Sequence, residues 1–189
     1  MDGVAMFFYE EEIENKMPAE IMANRILDSA GVAYNNVPID IDKVLLNYEF
    51  KIGVVRKFDN ESIVAGIAYT EKEQKQLKSK KFFVFKGGIP IRDRRYLMAL
   101  SIVEFVVESK NNYFVKSIYN SALNDENEIN NENARVARAL LMPQKSLSTL
   151  VMSPMINKLD VQEKIDSVAK AFLVSNDIAR RRLIETGLL

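Results

Sequence analysis

The chain has 189 residues, 48% of them hydrophobic, and its 26 Lys and Arg residues balance its 26 Asp and Glu residues. This length suits one moderate domain, and the balanced charge gives no general attraction to nucleic acid or to an anionic membrane. The chain has no cysteine and no histidine, which excludes disulfides, thiolate metal sites and the commonest general base and zinc ligand. The composition therefore favours a protein that acts by binding, without a cofactor.

The sequence also predicts where the protein resides. No apolar run approaches the roughly 20 residues that a membrane-spanning helix needs. The first 16 residues carry the acidic cluster Glu10–Glu12, where a signal peptide would carry positive charge ahead of an apolar stretch. We therefore expect a cytoplasmic protein with no membrane association.

In the first half of the chain, apolar spacing predicts two helices followed by three strands. Residues 1–16 form an N-terminal extension ahead of them. The first helix covers Met17–Ala30 and stops at Gly31, and the second runs through Ile41–Leu46. The three apolar runs with strand composition are Phe50–Val55, a stretch within Glu61–Tyr69, and Phe82–Phe85.

The second half of the chain is predicted to be helical. A long helix, apolar on most sides, covers Asp93–Glu108, and a polar loop over Asn120–Asn133 leads to a helix that ends at Met142 before Pro143. Val161–Leu189 contains two helices, the second capped by Ser175. Because the strands cluster, the fold class is α+β, with a main domain over residues 17–158 and a C-terminal helical segment over 159–189 packed on it.

Four stretches of the sequence resemble the ImmA/IrrE family of zincin-like metallopeptidases. Val37–Val44 is similar to the family's Pro-Val-Asp entry into its second helix, and Phe82–Tyr96 resembles the approach to its active-site helix. Glu132–Pro143 is similar to the family's helix ending in Leu-Leu-Met-Pro, and Phe172–Leu188 resembles its closing Phe-x-Val-Ser segment with Arg-Leu and Gly-Leu. The resemblance implies a zincin-like domain with helices around a small sheet and a C-terminal two-helix segment.

The resemblance fails at the positions that carry catalysis in this family. Its His-Glu-x-x-His motif holds zinc between two histidines, and the glutamate polarises the bound water. Here the three positions are Leu100, Ser101 and Glu104. The third ligand position falls on Asn130 or Glu132, so only the carboxylates of Glu104 and Glu132 could hold a metal. We expect Leu100 to extend the core, and Glu104 to face solvent or to pair with an arginine.

These observations predict a catalytically inactive relative that acts by protein–protein binding. The resemblance also implies a partner. Active members of the family act as regulators that cleave a DNA-binding repressor, often in phages or mobile elements, so the implied partner is a repressor or a similar regulator. One alternative is a carboxylate-based metallopeptidase that uses Glu104, Glu132 and the Asp125–Glu128 cluster. The other is a DNA-binding regulator that uses Arg180 and Arg181 in a helix-turn-helix arrangement.

Two further stretches lead to weaker predictions. Arg94 and Arg95, at the start of the long helix, are expected to form a solvated, salt-bridged turn rather than a partner contact. The segment Leu147–Met155 is apolar and interrupted by Pro154, and it is the predicted exposed hydrophobic patch. Met98, Met142, Met152 and Met155 are expected to fill the core, with an adaptable apolar surface for a partner as the alternative.

Overall fold

The computed structural model describes residues 19–68, 75, 81–108, 116–119, 121–124 and 131–189. In these residues the helices are α1 (Ala19–Ser29), α2 (Ile41–Asn47), α3 (Ile91–Glu108), α4 (Ser121–Asn124), α5 (Glu132–Leu141), α6 (Gln144–Val151), α7 (Val161–Phe172) and α8 (Asn176–Glu185), and the strands are β1 (Phe50–Val55), β2 (Ile63–Ala68), β3 (Lys81–Lys86) and β4 (Lys116–Tyr119). The predicted extension over residues 1–16, the Asp125–Glu128 cluster and Asn130 lie outside the described residues.

The strands form one mixed sheet in the order β1-β3-β2-β4. Strand β1 is parallel to β3, whereas β2 is antiparallel to both β3 and β4. Three strands match the predicted runs. The fourth, β4, was not predicted, because its four residues are too short to show an alternating pattern and it depends on pairing with β2.

Helix α3 lies at the centre of the structure. Its residues Tyr96, Leu97, Ala99, Ile102 and Val103 are almost completely buried, as the apolar character on most sides predicted. One side of α3 packs on the sheet, where Phe105 meets Phe50 edge-on with ring centroids 5.0 Å apart. Another side packs against α5, which in turn contacts α1. The architecture is therefore a small sheet with helices against it, which confirms the α+β class.

The C-terminal helices have clear local signals. Asp160 begins α7 with a reciprocal capping box, in which its side chain accepts from Glu163 N–H and the Glu163 carboxylate accepts from Asp160 N–H. Leu173 ends α7 in the left-handed region with φ of 53°, and the Ser175 side chain caps α8 as predicted. Helix α7 contacts α6 and α8, and α8 contacts α5.

None of the helices among the described residues is both long enough and apolar enough to cross a lipid bilayer.

Candidate functional site

The three positions that match the zinc-binding motif are inside the protein. Leu100 is 6% exposed and joins the core, as predicted. Ser101 is buried, and its hydroxyl donates to the Leu97 carbonyl of the same helix at 2.7 Å. Glu104 is also only 6% exposed, so the first of its two expected positions, facing solvent, is wrong, and pairing with an arginine stays a prediction. Helix α3 packs between the sheet and α5, and this packing encloses all three side chains.

Glu132, the other carboxylate considered for a metal, lies in a different environment. It is the first residue of α5, and the helix is capped one residue earlier by Asn131, whose side chain accepts from Ala134 N–H at 2.8 Å. The Glu132 carboxylate is 56% exposed and pairs with Arg135 at 3.4 Å. An acidic side chain in the first turn of a helix is favoured by the helix dipole, so its position has a structural explanation.

The residues at these positions do not fit zinc. A catalytic zinc site has three protein ligands and an open water position, and at least one ligand is usually an imidazole nitrogen. Here Leu100 and Ser101 offer a hydrocarbon and a hydroxyl that is bonded to its own helix. Within the described ranges, no three His, Cys, Asp or Glu side chains come together as a metal site requires. In the part of the chain that the structure describes, the positions of the zinc-binding motif therefore lack the donors that a zinc site needs.

Arg95 anchors α3 to the loop before α2. It is 8% exposed, and its guanidinium donates to the Ile39 carbonyl at 2.7 Å. Burial lowers the pKa of Arg95, while the negative charges of Asp42 and Asp40 act in the opposite direction. The prediction of a solvated turn is therefore wrong for Arg95. Its neighbour Arg94 is half-buried and lies over the Phe85 ring, 5.0 Å from the ring centroid.

Two other arginines form buried ion pairs that connect distant helices. Arg138 of α5 is completely buried and binds Glu185 of α8, with Nε 2.9 Å from a carboxylate oxygen. Arg182 of α8 is 5% exposed, pairs with Glu20 of α1 and donates to the Met142 carbonyl at 3.0 Å. The second oxygen of Glu20 accepts from the backbone N–H of Gln144 at 2.6 Å. This charge network holds α1, α5, α6 and α8 together.

Tyr96 of α3 lies beside the charge network. Its buried hydroxyl has no well-oriented hydrogen-bond partner among the described residues, although the Arg138 guanidinium lies close to it. Burial raises the pKa of Tyr96 to about 12, although the nearby positive charge of Arg138 lowers it in part. The phenol therefore stays neutral and contributes apolar packing to the core.

The two arginines considered for DNA binding lie on the surface of α8. Arg180 is exposed and donates to the Gln162 side chain of α7 at 3.0 Å. Arg181 pairs with Asp177 one turn earlier at 2.9 Å. Both side chains therefore have local partners that connect α8 to α7 or reinforce α8 itself.

A groove of about 580 Å³ runs between α6 and the loop that follows α1. Its lining includes Tyr34 and Val37 from the loop and Lys145, Thr149 and Leu150 from α6. Tyr34 is held at two points, because its hydroxyl donates to Asp28 and its carbonyl accepts from the Ser146 hydroxyl. Burial, together with the bond to the Asp28 carboxylate, raises the pKa of Tyr34 to about 12. Tyr34 therefore contributes a neutral phenol ring to the wall of the groove, held by these two contacts.

The predicted hydrophobic patch over Leu147–Met155 is only partly exposed. Leu147 and Val151 are buried on the inner side of α6, so the prediction is wrong for them. Met152 and Met155 are 67% and 79% exposed, and Ser153 between them lines the groove. The exposed apolar surface is therefore the end of α6 and the turn after it. The helix itself was not predicted.

No protein-family model matches the chain, and a comparison with curated proteins finds no similar sequence.

Proposed function

We propose that this protein is a catalytically inactive relative of the ImmA/IrrE metallopeptidases that acts by binding another protein. The proposed target is a DNA-binding repressor or a similar regulator, following the four stretches that resemble the family. One observation carries the inactive assignment. Leu100, Ser101 and Glu104, which replace the zinc-binding motif, are each 6% exposed or less, so a substrate bound at the surface does not reach them.

The surface that best suits such a partner is the groove beside α6 together with Met152 and Met155, which lie within two residues of the groove residue Ser153 in the chain. Met152 and Met155 are both exposed by more than half and lie three residues apart, and their flexible thioethers adapt to irregular apolar partners. The groove adds the ring of Tyr34 and the side chains of Val37 and Leu150. Because it is open along one side, it suits an apolar segment of a protein chain.

The test uses purified candidate repressors and a pair of matched variants. Calorimetry measures the affinity of each candidate for the full chain, for the Met152→Asp/Met155→Asp variant and for Ile184→Asp. Ile184 is 62% exposed on α8, so it is a control for a charge placed on an exposed apolar residue elsewhere. We expect the methionine variant to lose at least tenfold in affinity and the control to keep the affinity of the unmodified chain.

The mass of the bound repressor separates binding from cleavage. Each complex is incubated with and without added zinc and then analysed by intact mass spectrometry. The proposal requires the repressor to keep its full mass in both cases. A cleaved repressor would instead support the carboxylate-based peptidase, and an affinity that is unchanged by the methionine variant would exclude the two exposed methionines from the binding surface.

A further inference from the structure

The described methionines differ strongly in their exposure to solvent. Met98 and Met142 are 2% and 0% exposed and belong to the hydrophobic core, and Met22 is partly buried and packs against that core. Met152 and Met155, in contrast, are 67% and 79% exposed. An oxidant must reach the sulfur of a thioether in order to react with it. Among the described methionines, Met152 and Met155 are therefore the two most open to chemistry from solvent.

The composition of the chain directs oxidants to these thioethers. Peroxides react with the thiol of cysteine and with the thioether of methionine. The chain has eight methionines and no cysteine, so no thiol competes for the oxidant. A peroxide therefore acts on the sulfur of this protein at its exposed methionines.

The backbone around the two exposed methionines is held by its own hydrogen bonds. Met152 follows the last residue of α6, and its N–H donates to the Ser148 carbonyl at 2.9 Å. Met155 lies in the turn that follows, where the N–H of Asn157 donates to the Ser153 carbonyl at 2.9 Å. The conformation of this segment therefore does not depend on the two thioether side chains.

The neighbours of the two methionines fix this turn to the body of the protein. Val151 and Ile156 are 3% and 8% exposed, whereas the side chains of Met152 and Met155 lie outside the core. Oxidation makes a methionine side chain polar, which destabilises a core but is compatible with a solvated surface. Oxidation at this turn should therefore change the surface and leave the fold intact.

We propose that Met152 and Met155 form an oxidation site that switches this surface between an apolar and a polar state. Hydrogen peroxide transfers one oxygen atom to each sulfur, so the thioether is oxidised by two electrons to a sulfoxide while the O–O bond breaks and water leaves. A dithiol in a sulfoxide reductase reverses the step. Its two thiols are oxidised to a disulfide, and the sulfoxide oxygen leaves as water.

The site adjoins the groove beside α6, because Ser153 lies between the two methionines in the chain and lines the groove. The effect on a partner rests on the proposed function, in which the same thioethers contact an apolar segment of a repressor. Burying a sulfoxide against such a segment removes water from its oxygen without providing a hydrogen-bond donor. Oxidation should therefore release the repressor, and reduction should restore binding.

The first experiment needs no partner. The full chain is treated with hydrogen peroxide, and peptide mapping by mass spectrometry follows the oxidation of each methionine with time. We expect Met152 and Met155 to react about tenfold faster than Met98 and Met142, because only the first two are exposed. The circular dichroism spectrum should not change. Equal rates at the four residues, or loss of the fold as Met152 and Met155 react, would overturn the proposal.

Hydrophobic interaction chromatography measures the change of the surface itself. Retention of the full chain should fall after peroxide treatment and recover after incubation with a methionine sulfoxide reductase and a dithiol. The Met152→Leu/Met155→Leu variant keeps an apolar surface without the reactive sulfur, so its retention should stay the same after peroxide treatment. A leucine variant that loses as much retention as the unmodified chain would show that the change occurs at other residues, and the proposal would be wrong.

The second experiment measures the affinity for a purified repressor that binds the unmodified chain, with the peroxide removed before mixing. Oxidation should lower the affinity by about tenfold, and Met152→Gln/Met155→Gln should do the same without oxidant, because both place polar groups at the two positions. The leucine variant should bind equally well before and after peroxide treatment. Met22→Leu is the matched control, and it should stay as sensitive to peroxide as the unmodified chain.

The two experiments separate failure of this proposal from failure of the proposed function. If no repressor binds the unmodified chain, the proposed function fails, whereas selective and reversible oxidation at Met152 and Met155 still supports the oxidation site. If the Met152→Asp/Met155→Asp variant loses affinity but the oxidised chain does not, the binding surface is supported and the oxidation switch is overturned.

Discussion

The buried ion pair between Arg138 and Glu185 allows a direct test of how the helices are held together. Arg138 is completely buried, whereas the Glu185 side chain is 17% exposed. Replacing Glu185 by leucine leaves the guanidinium buried with its main partner gone. Removing one member of a buried pair typically costs about 3–5 kcal/mol, because the remaining charge is not compensated. That is a large part of the roughly 5–15 kcal/mol that stabilises a native domain.

The assay is urea denaturation followed by circular dichroism, with thermal melts as a second measure. For a domain of this size, we expect Glu185→Leu to lower Tm by roughly 10 °C. The double variant Arg138→Met/Glu185→Leu should recover most of the lost free energy of unfolding, because an apolar pair of similar volume needs no compensation. Arg135→Met, on the same helix, is the control. Its pair with Glu132 is more than half exposed, so its loss should cost less than about 0.5 kcal/mol.

Two results would refute this reasoning. The first is a loss of under about 1 kcal/mol for Glu185→Leu, which would mean that solvent or another group compensates Arg138. The second is a double variant as unstable as Glu185→Leu, which would mean that the helices depend on the shape of the arginine rather than on its charge. The m-value must stay constant for either comparison to hold.

Three further changes test the core, the ionisation of a buried phenol and a helix cap. Leu100→Ala should lower the free energy of unfolding by about 2–4 kcal/mol, because Leu100 is buried. Leu46 is 64% exposed on α2, so Leu46→Ala should lower it by less than about 0.5 kcal/mol in the same urea assay. The pKa of Tyr96 is raised from 10.0 to about 12, so the folded chain keeps a proton that the unfolded chain releases. Stability should therefore fall as the pH rises from 10 to 12. Tyr96→Phe should reduce that loss in melts recorded over this pH range. It should not lower stability at pH 7, because it removes an unsatisfied hydroxyl. Asp160→Ala removes the capping box of α7 and should cost about 1 kcal/mol, whereas the comparison Asp59→Ala, at an exposed position outside the helices, should cost less than about 0.5 kcal/mol.

The fold was predictable where local patterns dominate. The apolar character of α3 on most sides predicted its burial. Ser175 predicted the start of α8, and Pro143 predicted the end of α5. The short strand β4 was not predictable in this way, because it exists through its pairing with β2, whose paired residues lie 49 to 56 positions earlier. Helix α6 was interpreted as an exposed patch because its buried side, with Leu147 and Val151, becomes apparent only when α6 packs against its neighbours.

The arginines show most clearly what the sequence could not predict. Arg95 and Arg182 lie in charged runs that are typical of solvated helix surfaces, and Arg138 lies in an ordinary alanine-rich helix. Each is buried because of a partner that is distant in sequence. Arg182 pairs with Glu20, 162 positions away, and Arg138 pairs with Glu185, 47 positions away. No periodicity or motif carries that information, since the pairing depends on the arrangement of four helices.

These ion pairs also bear on the alternative in which the C-terminal helices read DNA. In a helix-turn-helix motif the second helix inserts into the major groove and presents several side chains to the bases. Helix α8 has Arg182 and Glu185 on its inner side, tied to Glu20 and Arg138. Only Arg180 and Arg181 remain for a nucleic acid, and their guanidinium groups already bind Gln162 and Asp177. A contact between DNA and these two arginines must replace both local bonds, and α8 has no further free basic residue to support it. The ion pairs of α8 therefore favour a structural role for this helix.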